Sequence, residues 1–290
     1  MVAMGADPDE TGRSPTGRSA TGRFDLDAYL GRIGHHGGRR ADLATLRSIV
    51  AAHAEAIAFE NLDPFLGRPV RLDPASLQAK LVHGGRGGYC FEQNLLLTDA
   101  LRALGYRTTG WAARVLWGRP AGGPLPARTH MLVRVDLDEG PHVVDVGFGG
   151  LTLTGVLRLE AHTEQATPHE PFRLVPEHGE FLMQARVAGE WRTLYRFGTT
   201  GQLRADYDVT SWYLSNHPLS HFVTGLMVAR PAADRRYALD GRELAVHHLG
   251  GGTERRSLRS PREVMAVLED DFLLDLSGLA GLEVALGRLF

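Results

Sequence analysis

The sequence predicts an α+β fold, with helices concentrated in the first hundred residues and antiparallel strands after them. Three observations carry this prediction. Between Phe24 and Leu104, apolar residues recur at the three-to-four-residue spacing of amphipathic helices. From Thr108 onward the period shortens to two, and turns such as Asp138-Glu139-Gly140 separate short β-prone runs. A helical pattern returns behind Ser260-Pro261, where proline suits a first helical position.

Size and charge bound the function classes. The 290 residues, 43% of them hydrophobic, can build one large or two to three modest domains, each with a core. Basic and acidic side chains nearly balance, 32 against 34, so no global field recommends nucleic acid or a membrane as partner. A single cysteine excludes an internal disulfide and a thiolate zinc cluster, and no metal is expected. There is no apolar secretory run at the N-terminus and no stretch near the ~20 residues of a spanning helix. A cytoplasmic protein is therefore expected, either a monomer or a homo-oligomer.

In chain order, residues 1–22 are rich in Gly, Ser, Thr, Pro and Asp and read as a disordered tail. Residues 23–106 read as a helical domain. Asp25 or Asp27 can cap a short helix carrying Leu26, Tyr29, Leu30 and Ile33. A longer helix spans residues 41–58, on Leu43, Leu46, Ile49, Val50, His53 and Ile57, and Phe59-Glu60-Asn61-Leu62-Asp63-Pro64 is expected to end it, because the residue before proline resists the helical region. Residues 77–82 form another short piece. A glycine-rich loop, His83-Gly84-Gly85-Arg86-Gly87-Gly88-Tyr89, then leads into a helix over residues 90–104, closed by Gly105.

Residues 107–209 read as an antiparallel sheet or small barrel. Strands are expected at 108–116, 129–137, 142–146, 151–157, 172–175, 181–187 and 190–197, and near Arg204. Met131, Val133 and Val135 should share one face, with Leu132 and Arg134 on the other. In residues 210–290, a short helix with Trp212 and Tyr213 precedes strands at 223–230, 236–239 and 243–248, with Asp240-Gly241 as a hairpin turn. The terminal helix carries Val264, Val267, Leu268, Phe272 and Leu273 on its apolar face.

Chemistry concentrates at Cys90. The glycine pairs before it permit tight turns and close approach of a substrate. A helix starting at Cys90 offers unpaired N–H groups and a positive end to a thiolate or an oxyanion. A small buried cysteine behind an ordinary loop is the alternative. A nucleophilic thiol needs a base and an orienter. His130 stands out among thirteen histidines because it opens an apolar strand. Asp145 stands out because a carboxylate between Val144 and Val146 is expensive unless paired. A solvent-facing strand carboxylate is the alternative. The glycine run is not a phosphate loop, since it lacks the Gly-Lys-Ser/Thr ending. His247-His248 lacks further ligands for a metal. Arg230, Arg235, Arg236, Arg255 and Arg256 could offer charge to the phosphates of a cofactor, but are read first as solvated basic surface.

The segment Arg86-Gly87-Gly88-Tyr89-Cys90-Phe91-Glu92-Gln93-Asn94 resembles the nucleophile motif of the arylamine N-acetyltransferases. Phe59-Glu60-Asn61-Leu62, Thr129-His130 and Asp145-Val146-Gly147-Phe148-Gly149 match further signatures, in the family's order. The matches span roughly residues 29–222, and the rest resembles the family more loosely. The resemblance implies a helical first domain, a β-barrel second domain and an α/β lid, with a core related to the papain-like cysteine proteases. It implies a Cys90, His130 and Asp145 triad that moves acetyl from acetyl-CoA to an arylamine, arylhydrazine or arylhydroxylamine through acetyl-Cys90. It further implies an acceptor pocket of Phe59, Phe148 and Phe222, and a supporting ion pair of Glu60 and Arg86. It also implies Trp117, Thr129, Gly149 and Gly150 beside the CoA arm. A macrolactam-forming amide synthase, a cysteine amidase or protease, and a non-catalytic binding protein on the same scaffold are the rival readings.

Overall fold

A computed structural model describes residues 24–120 and 122–290; the expected tail over residues 1–22 lies outside them. The helical region opens with α1 (Leu26–Arg32), where the Asp25 carboxylate accepts the Ala28 N–H at 3.0 Å. Asp42 caps α2 (Leu43–Ala56) through the Thr45 N–H at 2.9 Å. A short strand, β1 (Phe59–Glu60), and a one-turn helix, α3 (Leu62–Phe65), follow. The longer helix thus ends before this segment as expected, but Asp63, the residue before Pro64, is itself helical. At the third position of α3 the missing N–H of Pro64 is one that the first turn leaves unpaired anyway. Next come α4 (Pro74–Leu77), which widens into a π-turn over Gln78–His83, and α5 (Cys90–Ala103). Gly105, at φ +94, takes the left-handed conformation that ends α5.

The barrel strands are β2 (Arg107–Val115), β3 (His130–Leu137), β4 (Gly140–Val144), β5 (Leu157–Arg158), β6 (Phe172–Glu177), β7 (Glu180–Val187) and β8 (Glu190–Phe197). They form one antiparallel sheet in the order β5-β4-β3-β2-β8-β7-β6. The chain after β5 bends back onto β6 through bridges Ala161–Leu174 and Gln165–Phe172, so the sheet curls into a nearly closed barrel. Most of the strand expected over residues 151–157 is absent. The Thr152 hydroxyl donates to the Gly149 carbonyl and accepts the Gly149 N–H, a local loop bond that competes with a ladder. Both faces of β3 are buried. Met131, Val133 and Val135 pack with α5 and the other N-terminal helices, while Leu132 faces the barrel interior with Trp111 and Phe197.

Arg204, expected in a strand, instead opens α6 (Arg204–Asn216). The Asp206 carboxylate accepts the Leu203 N–H at 2.7 Å, and the Arg204 guanidinium pairs with Asp99 at 2.9 Å. Then come α7 (His221–Thr224), β9 (Met227–Ala232), β10 (Arg235–Asp240), β11 (Glu243–His248) and β12 (Thr253–Ser257). The chain ends in α8 (Pro261–Asp270), capped by Ser260, and α9 (Leu282–Leu286). Leu273 departs from the expected apolar face. It lies past the end of α8 in a left-handed conformation and is half exposed. The second sheet has the order β1-β9-β10-β11-β12, so the strand beside the cysteine loop is an edge of the C-terminal sheet. Behind it α3, α8, the turn after α8 and α9 cover the apolar side with Phe65, Leu268, Phe272 and Leu286. Among the described residues no helix is long and apolar enough to cross a membrane.

Candidate active site

The glycine loop before α5 is held by backbone. The Glu60 N–H donates to the Gly88 carbonyl at 3.2 Å, and the Gly88 N–H to the Ala58 carbonyl at 3.3 Å. A Cβ on Gly87 would stand 2.1 Å from the Ala58 oxygen, so only glycine allows this approach. Beneath the loop, Arg86 donates to the Glu60 carboxylate through Nε at 3.1 Å and Nη2 at 2.6 Å. The ion pair suggested by sequence belongs to a larger buried cluster. Lys80 reaches Asp63 at 2.6 Å, Glu92 at 2.7 Å and Glu60 at 3.7 Å. Three carboxylates thus share two cations. Burial is the main force that drives the Glu92 carboxyl up to about 7, with Lys80 opposing and the Glu60 charge adding to the rise.

Cys90 opens α5 almost fully buried, its Sγ 3.6 Å from the Thr129 carbonyl oxygen. That carbonyl directly precedes β3, whose first residue, His130, is also buried. His130 Nε2 lies 2.6 Å from Asp145 Oδ2. Because a carboxylate only accepts, the proton between them sits on Nε2. Nδ1 is left as the ring nitrogen for the Cys90 thiol. Burial alone would lower the His130 pKa. The charge and hydrogen bond of Asp145, with the adjoining Cys90, overcome it and hold it at about 10.

Asp145, at the end of β4, is wholly buried and carries four donors. Besides His130, Oδ2 accepts the Tyr195 hydroxyl at 2.9 Å, while Oδ1 accepts Asn94 Nδ2 and the Gly147 N–H, each at 3.0 Å. Burial would raise its pKa. The His130 charge and bond, the Asn94 amide and the Gly147 N–H hold it below the usual carboxylate range. Asn94 also donates to the Met131 carbonyl at 2.8 Å and accepts the Val146 N–H at 3.1 Å. It thereby ties α5 to β3 and to the chain after β4. Sequence reasoning assigned no role to Asn94, although one helical turn from Cys90 puts it on the same face. Tyr195 carried no such signal, since it arrives from β8, far along the chain. Gly147 closes the arrangement: a Cβ there would stand 2.7 Å from Cys90 Cα.

A cleft of about 1070 Å³ opens at Cys90 and His130, between the barrel and the C-terminal sheet. Phe59, Phe148 and Phe222 all line it. The Phe59 and Phe222 rings meet edge-on at 6.0 Å, and the Phe148 ring meets His130 at 5.3 Å. Trp117, Thr129, Gly149 and Gly150 line the barrel side, and Trp117 is half exposed. Glu60 and Arg86 do not reach the cleft; they support the loop from below. The basic residues of the C-terminal sheet are not uniformly solvated. Arg236 is 2% exposed and pairs with Glu170 at 2.6 Å, and Arg230 donates to the Asp271 and Glu55 carbonyls at 2.7 and 3.1 Å. Both sit where their strands face neighbouring chain; Arg255 and Arg256 remain exposed. His247 and His248 bond Thr253 and Glu254 of β12.

A nucleophile, a base and a fixed carboxylate at the mouth of an aromatic cleft match acyl transfer, and comparison with known proteins specifies which kind. The family model described as N-acetyltransferase matches residues 42–280. The chain is 49% identical over 264 residues to an arylamine N-acetyltransferase of Mycolicibacterium smegmatis, covering 90% of this chain and 96% of that protein. The chain belongs to the arylamine N-acetyltransferase family. Its fold superposes on that of the Mycobacterium marinum arylamine N-acetyltransferase with a TM-score of 0.89, at 45% identity over 91% of this chain and 99% of the other. The complex of the same M. marinum protein with CoA gives a TM-score of 0.88 at 45% identity, covering 91% and 99% of the two chains. The helical region, near-closed barrel and C-terminal sheet therefore form the family's papain-like arrangement.

Proposed function

We propose that this protein transfers an acetyl group from acetyl-CoA to the nitrogen of an arylamine, arylhydrazine or arylhydroxylamine, by double displacement through Cys90. The observation that carries the reading is the meeting of Cys90 with a buried His130–Asp145 pair at the mouth of an aromatic cleft, in a chain whose relatives are arylamine N-acetyltransferases. Cys90 passes its proton to His130 Nδ1, and the thiolate attacks the thioester carbonyl. The first-turn N–H groups of α5 have no intrahelical acceptors and face the developing oxyanion. Collapse breaks the C–S bond to CoA, and His130 returns the proton to the departing thiolate. The acceptor nitrogen then attacks acetyl-Cys90 while His130 takes its proton. The Cys90 thiolate leaves, and His130 reprotonates it.

Asp145 keeps the proton on Nε2 and stabilises the imidazolium at each stage. Phe59, Phe148 and Phe222 form the slot for a flat aromatic acceptor, with stacking worth ~0.5–1.5 kcal/mol beyond area burial. Trp117, Thr129, Gly149 and Gly150 flank the pantetheine arm. A cytoplasmic location would supply acetyl-CoA and keep the lone thiol reduced.

The test is intact-protein mass after mixing with acetyl-CoA, then again after adding an arylamine or hydrazine. The expected result is one acetyl gained, absent in Cys90→Ala, and discharged by the amine. An adduct only with a carrier-bound or other acyl thioester would point to a synthase, and no adduct with any donor would overturn the mechanism.

A further inference from the structure

The aromatic slot has one wall that does not hold itself. Phe222 sits on α7, a single helical turn in which His221 and Thr224 are exposed. Phe59, on β1, is paired into the C-terminal sheet opposite Ala229. The two rings meet edge-on at 6.0 Å, so the width and tilt of the slot depend on how firmly α7 is tied to β1. A one-turn helix leaves almost all of its backbone donors and acceptors without internal partners, and the buried ones must be paired from elsewhere.

Asn61 supplies that pairing. Its side chain is fully buried. Nδ2 donates to the Phe222 carbonyl at 2.8 Å and to the Gly225 carbonyl at 2.7 Å, and Oδ1 accepts the Met227 N–H at 2.7 Å. The orientation of the amide is forced, because two carbonyls face the nitrogen and an N–H faces the oxygen. Asn61 stands at the start of α3, where asparagine ordinarily caps its own helix. Here it makes no such bond, and Glu60 Oε2 accepts the Leu62 N–H at 2.6 Å instead. The amide is thereby free to reach α7 and the start of β9, 161 to 166 positions along the chain.

Ser220 holds the other side of the same residue. Its hydroxyl accepts the Phe222 N–H at 3.3 Å and donates to the Leu214 carbonyl at 2.5 Å. Both polar backbone groups of Phe222 are therefore held by side chains, the carbonyl by Asn61 and the N–H by Ser220. Phe59 and Phe222 line the cleft, whereas Asn61 and Ser220 lie behind its wall.

We propose that Asn61, with Ser220, is a positioning residue for the aromatic acceptor: by clamping the Phe222 main chain to β1 it sets the separation of Phe59 and Phe222, and with it the fit of a flat ring. The proposal rests on the acetyl-transfer reading above and assigns part of its acceptor selectivity to side chains that touch no substrate. Acetylation of Cys90 precedes entry of the acceptor and does not depend on the width of the slot.

The test separates the half-reactions. Acetyl-Cys90 is formed with acetyl-CoA, then discharged with aniline, which carries a ring, or with hydrazine, which does not. In Asn61→Ala the aniline concentration for half-maximal discharge should rise about 3- to 10-fold, the share that stacking on one aromatic wall contributes. Cys90 acetylation and discharge by hydrazine should stay within about twofold of wild type. Ser220→Ala leaves β1 and α3 untouched and should give the same split at about threefold, even if Asn61→Ala does not fold. Equal losses in all three reactions would reduce the pair to general support and overturn the proposal, as would an unchanged response to aniline. A wild-type protein that forms no acetyl adduct, or an adduct that aniline does not discharge, would instead refute the acetyl-transfer reading and the proposal with it.

Discussion

Glu92 sits two residues from the nucleophile, in a buried cluster with one carboxylate more than its cations can balance. Replacing it by glutamine makes the imbalance measurable. Its pKa of about 7 in the folded protein stands above its ordinary 4.5, a gap worth about 3 kcal/mol. The folded state holds this proton more tightly than the unfolded state. The group's stabilising contribution is therefore complete below pH 4.5 and lost as pH rises to 7 and beyond. A glutamine side chain has no proton to lose and can still accept the Tyr89 N–H, which Glu92 now does at 3.1 Å. It forfeits the ionic part of the bond to Lys80. Glu92→Gln should therefore match or slightly weaken the wild type at pH 5. Relative to wild type it should gain about 2–3 kcal/mol between pH 5 and pH 8. Urea unfolding of both proteins at the two pH values reads this directly. A stability difference that stays constant across the range would show that Glu92 remains ionised throughout, and would refute the claim that two cations fail to satisfy three buried carboxylates.

Two further outcomes test the support of the reacting groups. Tyr195→Phe preserves the ring contacts to His130 and Phe148 but removes one of four donors from Asp145. A bond to a charged group is worth ~1.5–3 kcal/mol, and three donors remain, so acetylation of Cys90 should slow about tenfold; a rate within twofold of wild type would show that Asp145 does not depend on this hydroxyl. Gly147→Ala puts a methyl 2.7 Å from Cys90 Cα and 2.9 Å from Asn94 Nδ2. Overpacking there should cost ~1–3 kcal/mol in thermal unfolding and suppress the acetyl adduct, whereas normal stability with normal acetylation would mean that α5 has room to move.

Helix starts were readable in the sequence because their signals are local. Asp25 and Ser260 cap the helices that follow them, and Gly105 ends α5 in the left-handed conformation. The motif around Cys90 and the exposed-or-paired question at Asp145 were legible for the same reason: a helix start after glycines and a carboxylate in an apolar run are features of neighbouring residues. The strand expected over residues 151–157 failed where Thr152 bonds its own loop, and Arg204 was misplaced because its helix gains a side-chain cap and the distant Asp99. Both losses are competitions that periodicity does not register. β12 and α9 went unseen because β12 is exposed along its whole length, without an apolar alternation, and α9 is a single short turn of the chain.

The α+β order of the chain, the nucleophile at a helix start, and the identity of its base and orienter through motif and family were all carried by the sequence. It took the folded arrangement to establish that Asp145 is shared by Tyr195 and Asn94, that Lys80 binds three carboxylates, and that Arg236 is buried facing the cleft. Those facts depend on which strands pair and which walls meet. Side-chain charge and hydrogen bonding act over a few ångströms in space, across residues that stand tens to more than a hundred positions apart along the chain.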